Sequence, residues 1–176
     1  MVEKTEPAKP LSDGLKFRTR WTIARYRGDF KSEAEAIAKG AKPYLVTVVE
    51  GNLGLNEGIT ELLNLITGTG SPTAWNNANA RIGVGNSNTA ASPTQTGLQG
   101  ASKAFKAMDS GYPSVTNQTA TFKATFGTSE GNFAWEEGTV VNAADDSGKN
   151  LNRKVTSQGT KTSSDTWIAT MEITVA

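Results

Sequence analysis

The chain has 176 residues, and 18 lysines and arginines against 17 aspartates and glutamates give it a formal net charge of +1. It contains no cysteine and no histidine, which excludes disulfides, thiolate nucleophiles, histidine-dependent triads and His-rich zinc sites within the chain. The near-neutral charge and the lack of an apolar run of about 20 residues favour neither a nucleic acid partner nor a membrane segment. We therefore expect no enzyme activity, no cofactor and no metal site.

The first fourteen residues contain two prolines and show no hydrophobic period. Such a composition predicts an extended N-terminal arm, residues 1–14, that does not fold independently. The remainder, residues 15–176, is long enough for one domain with a full hydrophobic core.

From Leu15 to Ile23, odd-numbered positions are apolar or small while cations occupy positions between them. A period of two predicts a half-buried strand. The cations on its outer face, with two more arginines just beyond it, form a basic strip. Three interpretations are open: a solvated edge strand protected by its charges, a surface that binds an acidic protein, or a nucleic acid surface, which is the least favoured because no aromatic side chains accompany the cations. The candidate partner-binding residues in this strip are Lys16, Arg18, Arg20, Arg25 and Arg27.

Two helices are predicted early in the chain. Ser32 and Glu35 have the spacing of a capping box, which predicts a helix over residues 33–39. Asn56 is expected to cap a second helix over residues 57–67 that ends at Gly68. Its apolar positions recur at helical spacing, so we expect this face to pack across the sheet. They are Ile59, Leu62, Leu63 and Ile66.

The rest of the chain has the pattern of a mainly β protein. The β-branched run at residues 44–49 predicts a buried strand. Long polar loops are expected at residues 68–79 and 86–99. Short alternating segments separated by turn residues predict an antiparallel β-sandwich or a partly open barrel with two short helices. Further strands are predicted near residues 80–84, 104–107, 120–126, 133–141, 151–156 and 166–175.

Trp75 and a pair of glutamates are the most informative single residues. Trp75 lies in a loop, where a large ring either anchors in a partner's pocket or packs locally. Glu136 and Glu137 are adjacent in a predicted strand and point to opposite faces, so they cannot flank one bond as glycosidase carboxylates do. One of them is expected to be buried and paired with Arg153 or Lys154.

Seven segments follow one another in a distinctive order. They are GNLGLNEGI (51–59), LITG (65–68), WNNANARIGVG (75–85), TAASPTQTGLQG (89–100), FAWEE (133–137), LNRKV (151–155) and GTK (159–161). As an ordered set they resemble a group of tailed-bacteriophage and prophage structural proteins described as virion, capsid-decoration or tail-fibre-associated proteins. The resemblance covers roughly residues 51–176.

This resemblance implies a structural protein of the virion, assembled in the host cytoplasm, with no catalytic residue. We expect a capsid decoration or cement protein that binds and stabilises the major capsid lattice. Its partners would be the major capsid protein, other virion proteins and further copies of itself, for instance in a trimer. The alternative is a tail-tip or tail-fibre protein that binds a host receptor through its long loops.

Overall fold

A computed structural model describes residues 16–176, so the predicted arm, residues 1–14, lies outside the described part. The chain forms two five-stranded antiparallel sheets. Their strand orders are β2-β1-β10-β7-β6 and β3-β9-β8-β4-β5. The elements are β1 (Phe17–Arg27), α1 (Glu33–Ala38), β2 (Leu45–Glu50), β3 (Leu53–Gly54), α2 (Asn56–Thr67), β4 (Arg81–Gly85), β5 (Lys103–Ala107), β6 (Ser114–Thr116), β7 (Thr119–Phe126), β8 (Ala134–Val141), β9 (Asn152–Thr160) and β10 (Asp165–Val175).

The main core lies between the sheets and confirms the predicted alternation in β7 and β10. In β1 the inward series is confirmed from Thr19 to Ile23, but Phe17, predicted to point inward, is 58% exposed near the start of the strand. Trp135 of β8 packs edge-on against Phe126 and Trp167, with ring centroids 4.8 Å apart in both pairs. Aromatic pairs of this kind each add about 0.5–1.5 kcal/mol beyond the area they bury. The other large buried members are Trp21, Ile23, Ile82, Val84, Phe122, Val140 and Met171.

A second, smaller cluster covers one end of the outer face of the first sheet. Helix α1 begins as predicted, because the Glu35 backbone N–H donates to Ser32 Oγ at 3.2 Å. Its Ala36 is fully buried against Tyr26 and Ile168, which project from the outer face of β1 and β10. The predicted capping box therefore orients a short helix over this face.

The mainly β prediction and the two-sheet sandwich are confirmed, but two elements occupy unexpected positions. Strand β2 was expected to be buried, yet it is the edge strand of its sheet and most of its side chains are exposed. Helix α2 was expected to pack its apolar face across the sheet, yet that face is mostly exposed. Its N-cap is Leu55 rather than Asn56, and no side chain caps it. Gly68 ends the helix in a left-handed conformation, as predicted.

Candidate interaction surface

The basic strip holds only part of the predicted set of cations. Lys16, Arg18 and Arg20 are exposed at the start of β1. The Arg20 guanidinium lies between two carboxylates, with Nε 3.3 Å from Glu50 and Nη1 3.7 Å from Glu172. Exposed ion pairs of this kind contribute little to stability. Binding of a partner by these three cations stays a prediction.

Arg25 does not belong to the strip, and the prediction is corrected at this position. Its side chain is buried inside the sandwich, where the guanidinium stacks on Trp167 at 4.4 Å and donates to the Gln158 carbonyl at 2.7 Å. Burial lowers the pKa of Arg25. Alternate side chains of a strand point to the same face, and residue 25 continues the odd-numbered, inward-pointing series of β1. Arg25 was therefore wrongly assigned to the outer face.

Arg27 is exposed, but intramolecular contacts hold its guanidinium. It lies 2.6 Å from the carboxylate of Asp165 and 4.3 Å from the centre of the Tyr44 ring. The side chain is therefore oriented within the protein before any partner arrives.

Trp75 lies in the loop between α2 and β4. Its ring is partly buried and packs against the main core. In the single chain, Trp75 therefore packs locally, which is one of its two interpretations. Binding of Trp75 to a partner stays a prediction.

Glu137 and Arg153 form a fully buried ion pair between β8 and β9, with Arg153 Nε 2.6 Å from the Glu137 carboxylate. The backbone N–H groups of Gln99 and Gly100 also donate to this carboxylate, at 3.0 and 2.7 Å. The missing Cβ of Gly85 leaves room for it. The predicted pairing of one glutamate with Arg153 is confirmed, while Glu136 accepts from the Ser157 hydroxyl.

The same arginine fixes the second long loop. Arg153 Nη1 donates to the Thr89 carbonyl at 2.9 Å and to Gln95 Oε1 at 3.0 Å. Because both Glu137 and Arg153 have no exposed side-chain surface, these charges hold the loop in place and are out of reach of a solvent-borne substrate.

Helix α2 is attached to the β8–β9 hairpin by its polar face. Glu57 accepts from the Asn150 N–H at 2.8 Å, and Glu61 accepts from the Thr73 N–H at 2.7 Å. Gly58 lies next to these two glutamates on the same side of the helix, and a Cβ at Gly58 would come within 2.5 Å of the Leu151 Cα. The close approach of the helix to the hairpin therefore requires glycine at this position.

The opposite face of α2 carries an exposed apolar stripe. Ile59, Leu63 and Ile66 lie four and three residues apart, so they form one row along the helix. Their exposed fractions are 48%, 55% and 72%. We call these three residues the α2 stripe. Large contiguous apolar patches mark interaction sites on soluble proteins, which makes this row a candidate for one.

Strand β2 adds a second exposed apolar region. Leu45, Val46 and Val48 are 48%, 47% and 51% exposed, and we call these residues the β2 edge. Thr47 lies on the inner face of the same strand and is held by Arg25 Nη1 at 3.1 Å. The strand is thus fixed on its inner face and open at its edge.

Two recesses of the described residues are small compared with typical ligand sites. Two of the best-formed recesses in residues 16–176 hold about 20 and 130 Å³, against roughly 300 Å³ or more for typical small-molecule sites. Within the same residues no group of three or more acidic side chains is arranged to hold a metal ion. None of the described helices has the length and apolar character needed to cross a membrane.

Comparisons of the chain with protein-family models, with curated proteins and with solved structures found no match. The resemblance to phage structural proteins therefore stays a prediction.

The helical period of α2 predicts a core position for the α2 stripe, whereas the structure exposes it. One signal against that assignment was present, since Glu57, Gly58 and Glu61 share a face, and a glycine between two acids indicates close contact with polar backbone. No comparable signal exists for β2, because a short apolar run is compatible with a central strand and with an edge strand.

Proposed function

We propose that this chain is a non-enzymatic structural protein of a tailed-bacteriophage virion, a capsid decoration or cement protein that binds the assembled major capsid lattice. The ordered segments that resemble phage structural proteins support the assignment to a virion. The α2 stripe supports binding of another protein, and it is the structural observation that carries the proposal.

The stripe supports docking because contacts of the polar side of α2 leave part of its apolar side exposed. An amphipathic helix on a globular protein normally turns its apolar side to the core. Here Glu61 is buried and Ile66 is exposed, and Glu57 and Glu61 bind the β8–β9 hairpin and the neighbouring loop through backbone donors. These contacts hold α2 with the stripe facing outward, so the helix need not be ordered or reoriented when it binds a complementary groove.

A cement protein acts by mass action. It binds the assembled lattice more tightly than free subunits, so its binding free energy is added to the stability of the shell. Many copies on one particle act together through their high local concentration. No catalytic group is needed for this function.

The experiment measures binding of the purified full chain to capsid shells that lack it. Leu63→Glu and Ile66→Glu place a charge on the α2 stripe, and we expect each to weaken shell binding by about tenfold or more. The matched control is Val115→Glu on β6, because Val115 is 74% exposed but lies outside the stripe. We expect the control to bind like the wild type.

Two results would contradict the proposal. If the wild-type chain does not bind the shell, the capsid assignment is wrong. If the stripe variants bind as well as the Val115→Glu control, α2 does not carry the interaction.

The tail-protein alternative is favoured by the fixed conformation of the two long loops, one held by Arg153 and the other by Glu61 and Asn142. Ordered loops can present a constant surface to a receptor. Copy number in purified virions separates the alternatives, since a cement protein approaches one copy per capsid subunit and a tail protein is present in far fewer copies.

A further inference from the structure

The inner face of the first sheet becomes less buried toward one end. Trp21, Met171 and Phe122 are direct neighbours across β1, β10 and β7, and all three are at most 5% exposed. Two residues further along these strands lies a second row on the same face. Thr19, at the β1 end of this row, is still buried, whereas Val115, at its β6 end, is 74% exposed. The cover over this face therefore ends near the second row.

The uncovered part of this face is apolar. The register places Ile173, Ala120 and Val115 side by side across β10, β7 and β6. One step further out, it places Phe17 beside Val175. Phe17 is 58% exposed, and the three residues other than Val115 are partly buried. Because cross-strand neighbours and alternate residues share a face, these five side chains form one surface, which we call the open end.

The chain outside the described residues joins the molecule at this surface. Lys16 is the first described residue, and two backbone hydrogen bonds of 2.8 and 3.1 Å pair it with Ala176. Phe17 follows it directly, so residues 1–15 begin at the border of the open end. A segment attached at the border of a surface has a high effective concentration there, whereas a separate partner has to bind from solution.

This segment is long enough to cross the open end. From β1 to β6 the first sheet has three strand spacings, or roughly 14 Å at about 4.8 Å each. Five extended residues, from Lys16 back to Leu11, span at most about 18 Å. Asp13 and Gly14 are turn-forming residues between them, so the chain can change direction there. Leu11 can therefore reach Val115 at the far side of the open end.

We propose that residues 1–15 fold back across the open end of their own chain, with Leu11 packed against Ile173 and Val115. Burial of exposed apolar surface favours this contact in proportion to the area removed from water. The segment then closes the sandwich at the end where the second sheet leaves the first one uncovered. This surface differs from the α2 stripe, and the proposal does not depend on the capsid assignment.

The test is a pair of introduced cysteines in the full chain, which has none of its own. Leu11→Cys with Val115→Cys is expected to form an intramolecular disulfide on mild oxidation, because a disulfide requires Cα atoms within about 7 Å. Leu11→Cys with Thr116→Cys is the matched control, since Thr116 is the exposed neighbour of Val115 on the opposite face of β6. We expect the first pair to oxidise at least about tenfold faster. Peptide mass spectrometry and non-reducing gels measure the products.

The urea midpoint provides a second measurement. Leu11→Asp lies outside residues 16–176, so it can lower the midpoint only if the segment contacts the folded domain. We expect it to do so, and we expect Val115→Asp to lower the midpoint less in this background than in the wild type, because the two residues share one contact. Near-UV spectra show whether each variant is folded.

Three results would overturn the proposal. Equal oxidation rates of the two cysteine pairs would show that the segment has no preferred face. Disulfides found only between chains would mean that a second copy covers the open end. An unchanged midpoint for Leu11→Asp would leave the open end to a different protein. Shell binding through the α2 stripe is measured independently of each of these results.

Discussion

At the corner where β8 meets β9, charged groups lie inside the protein, whereas along β2 and α2 aliphatic side chains lie outside it. Glu137 and Arg153 are fully buried, while Ile66 and Val48 are more than half exposed. The buried pair is tolerable because the carboxylate receives donors from Arg153, Gln99 and Gly100, which offset the loss of hydration.

The buried ion pair contributes to the stability of the fold, whereas the exposed aliphatic side chains are available for association with other molecules. Removing one partner of the buried pair leaves an uncompensated charge in the core. Removing an exposed aliphatic side chain changes little in the folded chain, because that side chain makes few contacts there. The following four changes test this difference, from the largest expected effect on folding to the smallest.

Arg153→Met is expected to lower the free energy of unfolding by about 3–5 kcal/mol, because Glu137 would remain buried without its cation. Urea unfolding measures the change. The control is the double variant Glu137→Gln with Arg153→Met, which removes both charges and should cost less than the sum of the two single changes. Additive losses would show that the two side chains do not act as a pair.

Gly58→Ala is expected to cost about 1–3 kcal/mol by overpacking, although alanine is the better helix former by about 1 kcal/mol. The added Cβ would come within 2.5 Å of the Asn150 carbonyl oxygen and the Leu151 Cα. Thr60→Ala, at an exposed position of the same helix, is the control and should be neutral or slightly stabilising. Equal stability of the two variants would mean that α2 does not approach the hairpin closely.

Asp109→Asn is expected to change how stability depends on pH. Burial raises the pKa of Asp109 above its ordinary value of 3.8, although Thr125 donates to the carboxylate from both its N–H and its hydroxyl. Folding therefore favours the protonated acid. The stability of the wild type relative to Asp109→Asn is greatest below pH 3.8 and decreases as the pH rises through the folded-state pKa, by at most about 1.4 kcal/mol per pH unit.

Asp29→Asn is the control of opposite sign. The N–H of Thr128 and the nearby Lys31 lower the pKa of Asp29 below 3.8. The stability it contributes is present above pH 3.8 and is lost as the pH falls through the lowered pKa. Thermal unfolding across an acidic pH series measures both variants, and slopes of the same sign would contradict this assignment.

Ile66→Gln is expected to change the free energy of unfolding by no more than about 0.5 kcal/mol, because the side chain is 72% exposed. Chemical denaturation measures this change. A loss comparable with that of Arg153→Met would show that the α2 stripe contributes to the fold, and the distinction between the two regions would disappear.

Much of the sandwich could be predicted because its signals are local. Alternation in β1, β7 and β10 identified inward positions such as Trp21, Phe122 and Trp167, and Ser32 identified the start of α1. The opposite faces of Glu136 and Glu137 follow from strand geometry alone. The short strands β3 and β6 were missed, since two or three residues carry no measurable period.

The sequence by itself determined which side chains share a face, because the periods of a strand and a helix are properties of the backbone. Only the tertiary structure decided what each face contacts. It turned α2 outward through Glu57 and Glu61, placed β2 at an edge, and enclosed Arg25 against Trp167. These outcomes depend on contacts between residues far apart in the chain, about which local periodicity carries no information.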